Sequence, residues 1–207
     1  MRRNIRIAAV LVAATTTLTA CVNINTGSDE PAAGDSATTS SEHNEADVEF
    51  ATDMIPHHAQ AVRMADMAEA RAGSAELRSL AADIEDAQTP EIELMAGWLE
   101  SWGEEVPDTD AGHLGMDHGA MGDNMDELDG DMPGMMSDEQ LDALGEASGS
   151  PFDAMWLRMM IEHHEGAIEM ARTEQAEGQN PDAIALAEDI EAAQTAEIAT
   201  MEDMLGS

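Results

Sequence analysis

A pair of adjacent histidines occurs twice in this chain, in closely similar surroundings, and no other feature restricts the fold as much. The first copy reads MIPHHAQAVRMA from Met54 to Ala65, and the second MIEHHEGAIEMA from Met160 to Ala171. The offset of 106 residues holds without a gap to DIEDAQTPEIELM (Asp83 to Met95), which aligns with DIEAAQTAEIATM (Asp189 to Met201). A stretch of about fifty residues, Phe50 to Leu99 and again Trp156 to Leu205, is therefore one supersecondary unit used twice.

Both copies carry the helical period. On a wheel of about 100° per residue, Phe50, Ala61, Ala65 and Ala68 cluster around Met54, and His57 and His58 straddle the centre of that apolar stripe. The same holds for Met160, His163 and His164. Adjacent histidines usually leave one ring in solvent, but this phase turns both inward.

Boundary residues place the helices. Asn44 to Ala72 forms the first, and Gly73-Ser74 breaks the chain and caps a second that ends near Trp102, before Gly103. Ser150 reads as an N-cap with Pro151 at the first helical position, opening a helix to Glu177. Asn180-Pro181 opens another that ends near Leu205. Pro56 and Pro90 lie inside helices and are expected to kink them, whereas their counterparts Glu162 and Ala196 are not. Two αα-hairpins result, and together they predict an all-α four-helix bundle over residues 44–206 (first repeat 44–102, linker 103–149, second repeat 150–206).

The tight turns fix which residues meet. His57 and His58 come level with Pro90 and Thr89, beside Gln88 and Glu91, and His163 and His164 come level with Ala196 and Thr195, beside Gln194 and Glu197. A pseudo-two-fold then collects four imidazoles, two amides and two carboxylates in one layer. Buried polar groups need partners, and a shared metal ion or hydrogen-bond network supplies them. The candidate metal ligands are His57, His58, His163 and His164, with Glu91 and Glu197, and with Met54 and Met160 one turn away. Gln88 and Gln194 would support them from behind.

Residues 1–20 have the pattern of a signal peptide: Arg2, Arg3 and Arg6, an apolar run from Ile7 to Ala14, then Leu18-Thr19-Ala20-Cys21, which looks like a lipobox. Cys21 is the one cysteine, so a disulfide framework is excluded and acylation is its expected role. Residues 21–43 are rich in small and acidic residues and predict a flexible tether. The formal net charge of −36, with no lysine, argues against nucleic acid and against anionic membrane surfaces. The expected location is the outer face of the cell membrane, held by lipid alone.

Between the hairpins the composition changes. His113, Met116, His118, Met121, Met125, Met132, Met135 and Met136 are spread through a Gly/Asp-rich stretch with no sustained period. Thioethers and imidazoles are soft-to-borderline ligands suited to Cu(I) and Cu(II), so this loop is a second candidate metal site; the competing reading is an acidic linker. Ser137 to Gln140 reads as a capping box for a short helix over Asp138 to Glu146.

MIPHHAQAVRMA, the SDEQLDAL…ASGSPFD lead-in and MIEHHEGAIEMA resemble the bacterial domain-of-unknown-function family numbered 305, over about residues 44–206. The resemblance implies an exported, ferritin-like helical bundle and, for some members, copper binding, carried onto His57, His58, His163 and His164. The leading expectation is a non-catalytic lipoprotein that sequesters copper or hands it to a partner protein. A ferritin-like oxidase is the second reading. Di-iron bundles use a Glu-x-x-His motif, absent at all four histidines, so iron is the weaker expectation. A histidine-based pH-sensing module is the third.

Overall fold

A computed structural model describes residues 42–109 and 132–206. The leader, Cys21, most of the tether, and His113, Met116, His118, Met121 and Met125 lie outside the described residues. The regular structure within them is helical: α1 (Glu45–Arg71), α2 (Ala75–Trp102), α3 (Asp138–Glu146), α4 (Ser150–Glu177) and α5 (Pro181–Gly206). No described helix is long and apolar enough to cross a membrane.

The caps explain the boundaries. At α1 the Asn44 side chain accepts from the Asp47 amide at 3.1 Å, and the Asp47 carboxylate accepts from the Asn44 amide at 2.6 Å, a closed capping box. Ser74 caps α2 through the Leu77 amide at 3.1 Å. Ser137 and Gln140 form the expected box on α3. Asn180 accepts from the amides of Asp182 and Ala183 at the start of α5. At α4 the expectation needs correcting by one residue: Gly149 is the N-cap, without a side-chain bond, and Ser150 is already helical. The chain is drawn in there because the Gly149 amide donates to the Arg71 carbonyl at 2.8 Å. Pro56 and Pro90 are accommodated within α1 and α2, each of which runs on past its proline.

The helices pair as α1 with α2 and α4 with α5, and α1 crosses α4 to join the hairpins. Each hairpin turn is capped by an aspartate of the other hairpin. Asp153 of α4 accepts from the amides of Gly73 and Ser74 at 2.8 and 3.0 Å, and Asp47 of α1 accepts from those of Gln179 and Asn180 at 3.0 and 2.8 Å. These are the same residues one repeat apart, so the pseudo-symmetry reaches individual hydrogen bonds.

The apolar core is two clusters. One contains Met64, Leu77, Ile84, Leu144, Phe152, Trp156, Met160 and Met201, and the other Phe50, Met54, Ile55, Met95, Trp98, Leu99, Ala187 and Ile190. Residues before the histidines on α1 belong to one cluster and those after them to the other; on α4 the order is reversed. The histidines therefore form a polar layer between two dry ends.

Candidate metal centre

Each histidine reaches the layer because its helix places it on the buried stripe, and His57, His58, His163 and His164 are all 0% exposed. His57 and His163, from opposite hairpins, stack with ring centroids 3.8 Å apart and planes tilted by 38°. His164 lies 6.4 Å from His163, centroid to centroid. Gln88 and Gln194 are buried in the same layer.

The outer nitrogens are committed. His58 Nε2 donates to Glu91 Oε2 and His164 Nε2 donates to Glu197 Oε2, each at 2.7 Å. His57 Nε2 donates to the Pro133 carbonyl at 3.0 Å. The acceptors fix the proton on Nε2 in all three rings. The Nδ1 atoms of these rings are buried and have no partner, and neither nitrogen of His163 makes a hydrogen bond of ordinary geometry, although the His57 backbone faces its ring. A protonated Nδ1 would be a buried donor without an acceptor, at a cost of about 1–3 kcal/mol, so Nδ1 carries the lone pair. Glu91 and Glu197 thus hold the imidazoles from outside, as carboxylates do behind metal-bound histidines.

Burial, then the neighbouring His58, lowers the pKa of His57 to about 3; burial and then His57 push that of His163 well below its usual value. Both central rings are neutral at physiological pH, the form in which imidazole binds metals. Orphaned lone pairs, neutral rings and oriented tautomers fit a metal ion better than a hydrogen-bond network, which would have used those atoms. Among the described residues no group of three or more His, Cys, Asp or Glu side chains is placed to hold a metal ion together. Met54 and Met160 are fully buried, one in each apolar cluster, so they flank the layer from opposite ends.

The layer is closed on one side by the segment from Met132 to Met136, a strap absent from the sequence reading of the histidine site. Its Pro133 carbonyl caps His57, and its Met136 amide and carbonyl bond Gln60 Oε1 and Nε2 at 2.7 and 2.8 Å. Gly166 makes room for it: a Cβ there would lie 1.9 Å from the Pro133 oxygen. Gly134 has φ +77°, a conformation that L side chains rarely adopt. Met136 is buried in the core with Leu141 and Leu144, whereas Met132 and Met135 stay partly exposed. The strap was missed because its seat is a tertiary approach; Gly166, one of the few glycines inside a helix, was the available signal.

Sequence reasoning also passed over Glu174, a carboxyl 1% exposed. No N–H or O–H faces its oxygens, and burial, then Asp47, raises its pKa to about 8. Asp47 is lowered: burial opposes this, but the amides of Asn44, Asn180 and Gln179 and the Glu174 carboxyl together outweigh it. The pair shares one proton, donated by Glu174.

Comparison with known proteins agrees with this architecture. The chain is similar to the structure of a putative secreted DUF305 protein from Streptomyces coelicolor (32% identity, 78% of this chain and 92% of that one, TM-score 0.65). It is also similar to a DUF305 fragment from Deinococcus radiodurans (29% identity, 79% and 97%, TM-score 0.64). A third similar structure is CopM in its Cu(II)-bound form (32% identity, 77% and 95%, TM-score 0.60). CopM has also been solved in a Cu(I)-bound form (33% identity, 76% and 94%, TM-score 0.58). No curated protein matches. The profile of the family described as "Domain of unknown function (DUF305)" matches residues 47–205, three-quarters of the sequence and both hairpins, and the chain belongs to that family.

Proposed function

We propose that this protein binds copper outside the cytoplasm, in the histidine layer of its bundle, and sequesters the ion or passes it to a partner without catalysing a reaction. The observation that carries this reading is the set of buried, unpartnered Nδ1 atoms on His57, His58, His163 and His164, with the outer nitrogens of three rings already engaged. Leaving them empty costs stability, and a cation that accepts their lone pairs offsets the cost. Copper is favoured over iron because carboxylates stand behind the imidazoles rather than beside them, and because Met54 and Met160 add thioethers. The similarity to copper-bound CopM supports the same metal. The bound metal would supply positive charge beside the two central rings, His57 and His163, which are themselves neutral.

The leader and Cys21 support export and a lipid anchor on the outer face of the membrane. The loop residues His113, Met116, His118, Met121 and Met125 carry soft-to-borderline donors and would form a second site.

Anaerobic Cu(I) titration against a competing chelator tests the reading. Deleting residues 110–131 is expected to lower stoichiometry and keep one tight site, whereas His57→Gln with His163→Gln is expected to remove that site. Loss of all tight binding on the deletion, with full affinity in the histidine variant, would transfer the function to the loop.

A further inference from the structure

Beside the strap lies a cleft of about 250 Å³ between α1 and α4, and its lining is chemically selective. Met132 and Met170 contribute thioethers, and Glu49, Asp53, Glu169 and Glu174 contribute carboxyl groups; among the described residues no lysine, arginine or histidine lines it. Phe50 and Pro133 complete the wall, and Pro133 is the residue whose carbonyl holds His57. Glu174 is almost fully buried in this lining and keeps its proton at neutral pH, so it adds a neutral carboxyl oxygen there rather than a charge. Glu49, Asp53 and Glu169 crowd this lining with no counter-charge among the described residues, and a cation would relieve their mutual repulsion. Carboxylates alone would suit a hard divalent ion, but thioethers have little affinity for one. Two of them in one acidic cleft select a soft cation, while the acidic field attracts it.

From this lining we infer a further metal site, separate from the histidine layer and the loop: the cleft binds a soft monovalent cation, Cu(I) or Ag(I), through Met132 and Met170, and serves as the vestibule from which the ion reaches His57 and His163. The vestibule role rests on the reading that the histidine layer takes copper; the cleft site does not. The four histidines are fully buried, and the cleft touches the strap that closes their layer on one side at Met132 and Pro133. Met170 packs partly against the apolar core, which holds its stem and leaves the cleft as the open side.

The test uses the full-length protein labelled with 13C at methionine methyls and 15N in histidine rings, titrated anaerobically with Ag(I) as a diamagnetic probe. Met132→Leu and Met170→Leu conserve volume and are expected to keep the fold. The expected result is that the Met132 and Met170 methyls shift in the same step and that either substitution suppresses the response of the other thioether. The double variant should load the His57 and His163 rings several-fold more slowly, with an unchanged end point. Methyls that stay silent, or shift independently, would overturn the cleft site. Coupled methyl shifts with ring nitrogens that never respond would keep the cleft and overturn the histidine layer.

Discussion

Two glycines that both sit in helix interiors should respond oppositely to the same substitution. Gly97 in α2 is exposed, and a Cβ there meets nothing within 4 Å. Alanine should therefore stabilise by the usual helix-propensity difference of about 0.5–1 kcal/mol. Gly166 in α4 would place its Cβ 1.9 Å from the Pro133 oxygen, 2.4 Å from the Pro133 carbonyl carbon and 2.8 Å from the Gly134 nitrogen, all backbone atoms that cannot rotate away. The strap would have to lift, surrendering its bond to His57 and both of its bonds to Gln60. Three bonds at about 1 kcal/mol each, less the propensity gain, leave a net loss of about 2 kcal/mol. For a domain of this size each kcal/mol moves Tm by about 3 °C, so Gly166→Ala should lower Tm by about 6 °C and Gly97→Ala should raise it by about 2–3 °C. Thermal unfolding by circular dichroism measures both. Hydrogen exchange adds a local readout, because the Met136 amide, bonded to Gln60, should lose protection in Gly166→Ala alone. If Gly166→Ala stabilises as Gly97→Ala does, the strap is not seated on α4 and the closure of the histidine layer fails with it.

Three further outcomes follow from the same geometry. Glu174 has a folded pKa of about 8, above its unfolded 4.5, so the folded state holds the extra proton; stability is fully present below 4.5 and declines as pH rises through 8. Glu174→Gln, whose amide donates to Asp47 at any pH, should flatten that decline in chemical denaturation between pH 5 and 8, measured with chelator present; an unchanged slope would refute the shared proton. Asp47→Ala should destabilise more than Asp153→Ala, because Asp47 is fully buried and holds three backbone amides against two, with about 1–2 kcal/mol expected for Asp153; equal losses in urea unfolding would contradict the ranking. Cys21→Ala should move the protein from the membrane fraction to the soluble one, and retention at the membrane would refute the lipid anchor.

The hairpins and the histidine layer were legible because they depend on periodicity and turn chemistry, both local. The phase that turns His57 and His58 inward, and the turn at Gly73-Ser74 that brings Glu91 opposite them, need no knowledge of the rest of the fold. The orienting role of Glu91 and Glu197 was not separable from ligation, since spacing gives the level of a carboxylate and not which imidazole nitrogen it meets. The reciprocal capping by Asp47 and Asp153 was present in the 106-residue offset, but a lone aspartate near a helix start reads as an ordinary cap. The strap and the Glu174 carboxyl were hidden for another reason. Each exists because a distant segment arrives, Pro133 onto Gly166 and Asp47 beside Glu174, and no pattern within one helix records such an arrival.

The central claim is that copper is held by imidazole in the middle of the bundle. X-ray absorption at the copper edge tests it most directly, on protein lacking residues 110–131 and loaded anaerobically with one equivalent of Cu(I). Without that segment, the described histidines left are His57, His58, His163, His164 and the distant His43, which stacks on Trp102. The account predicts a nitrogen shell with the multiple-scattering pattern of imidazole, lost in His57→Gln with His163→Gln. A shell made only of sulfur or carboxylate oxygen, unchanged by those substitutions, would contradict it.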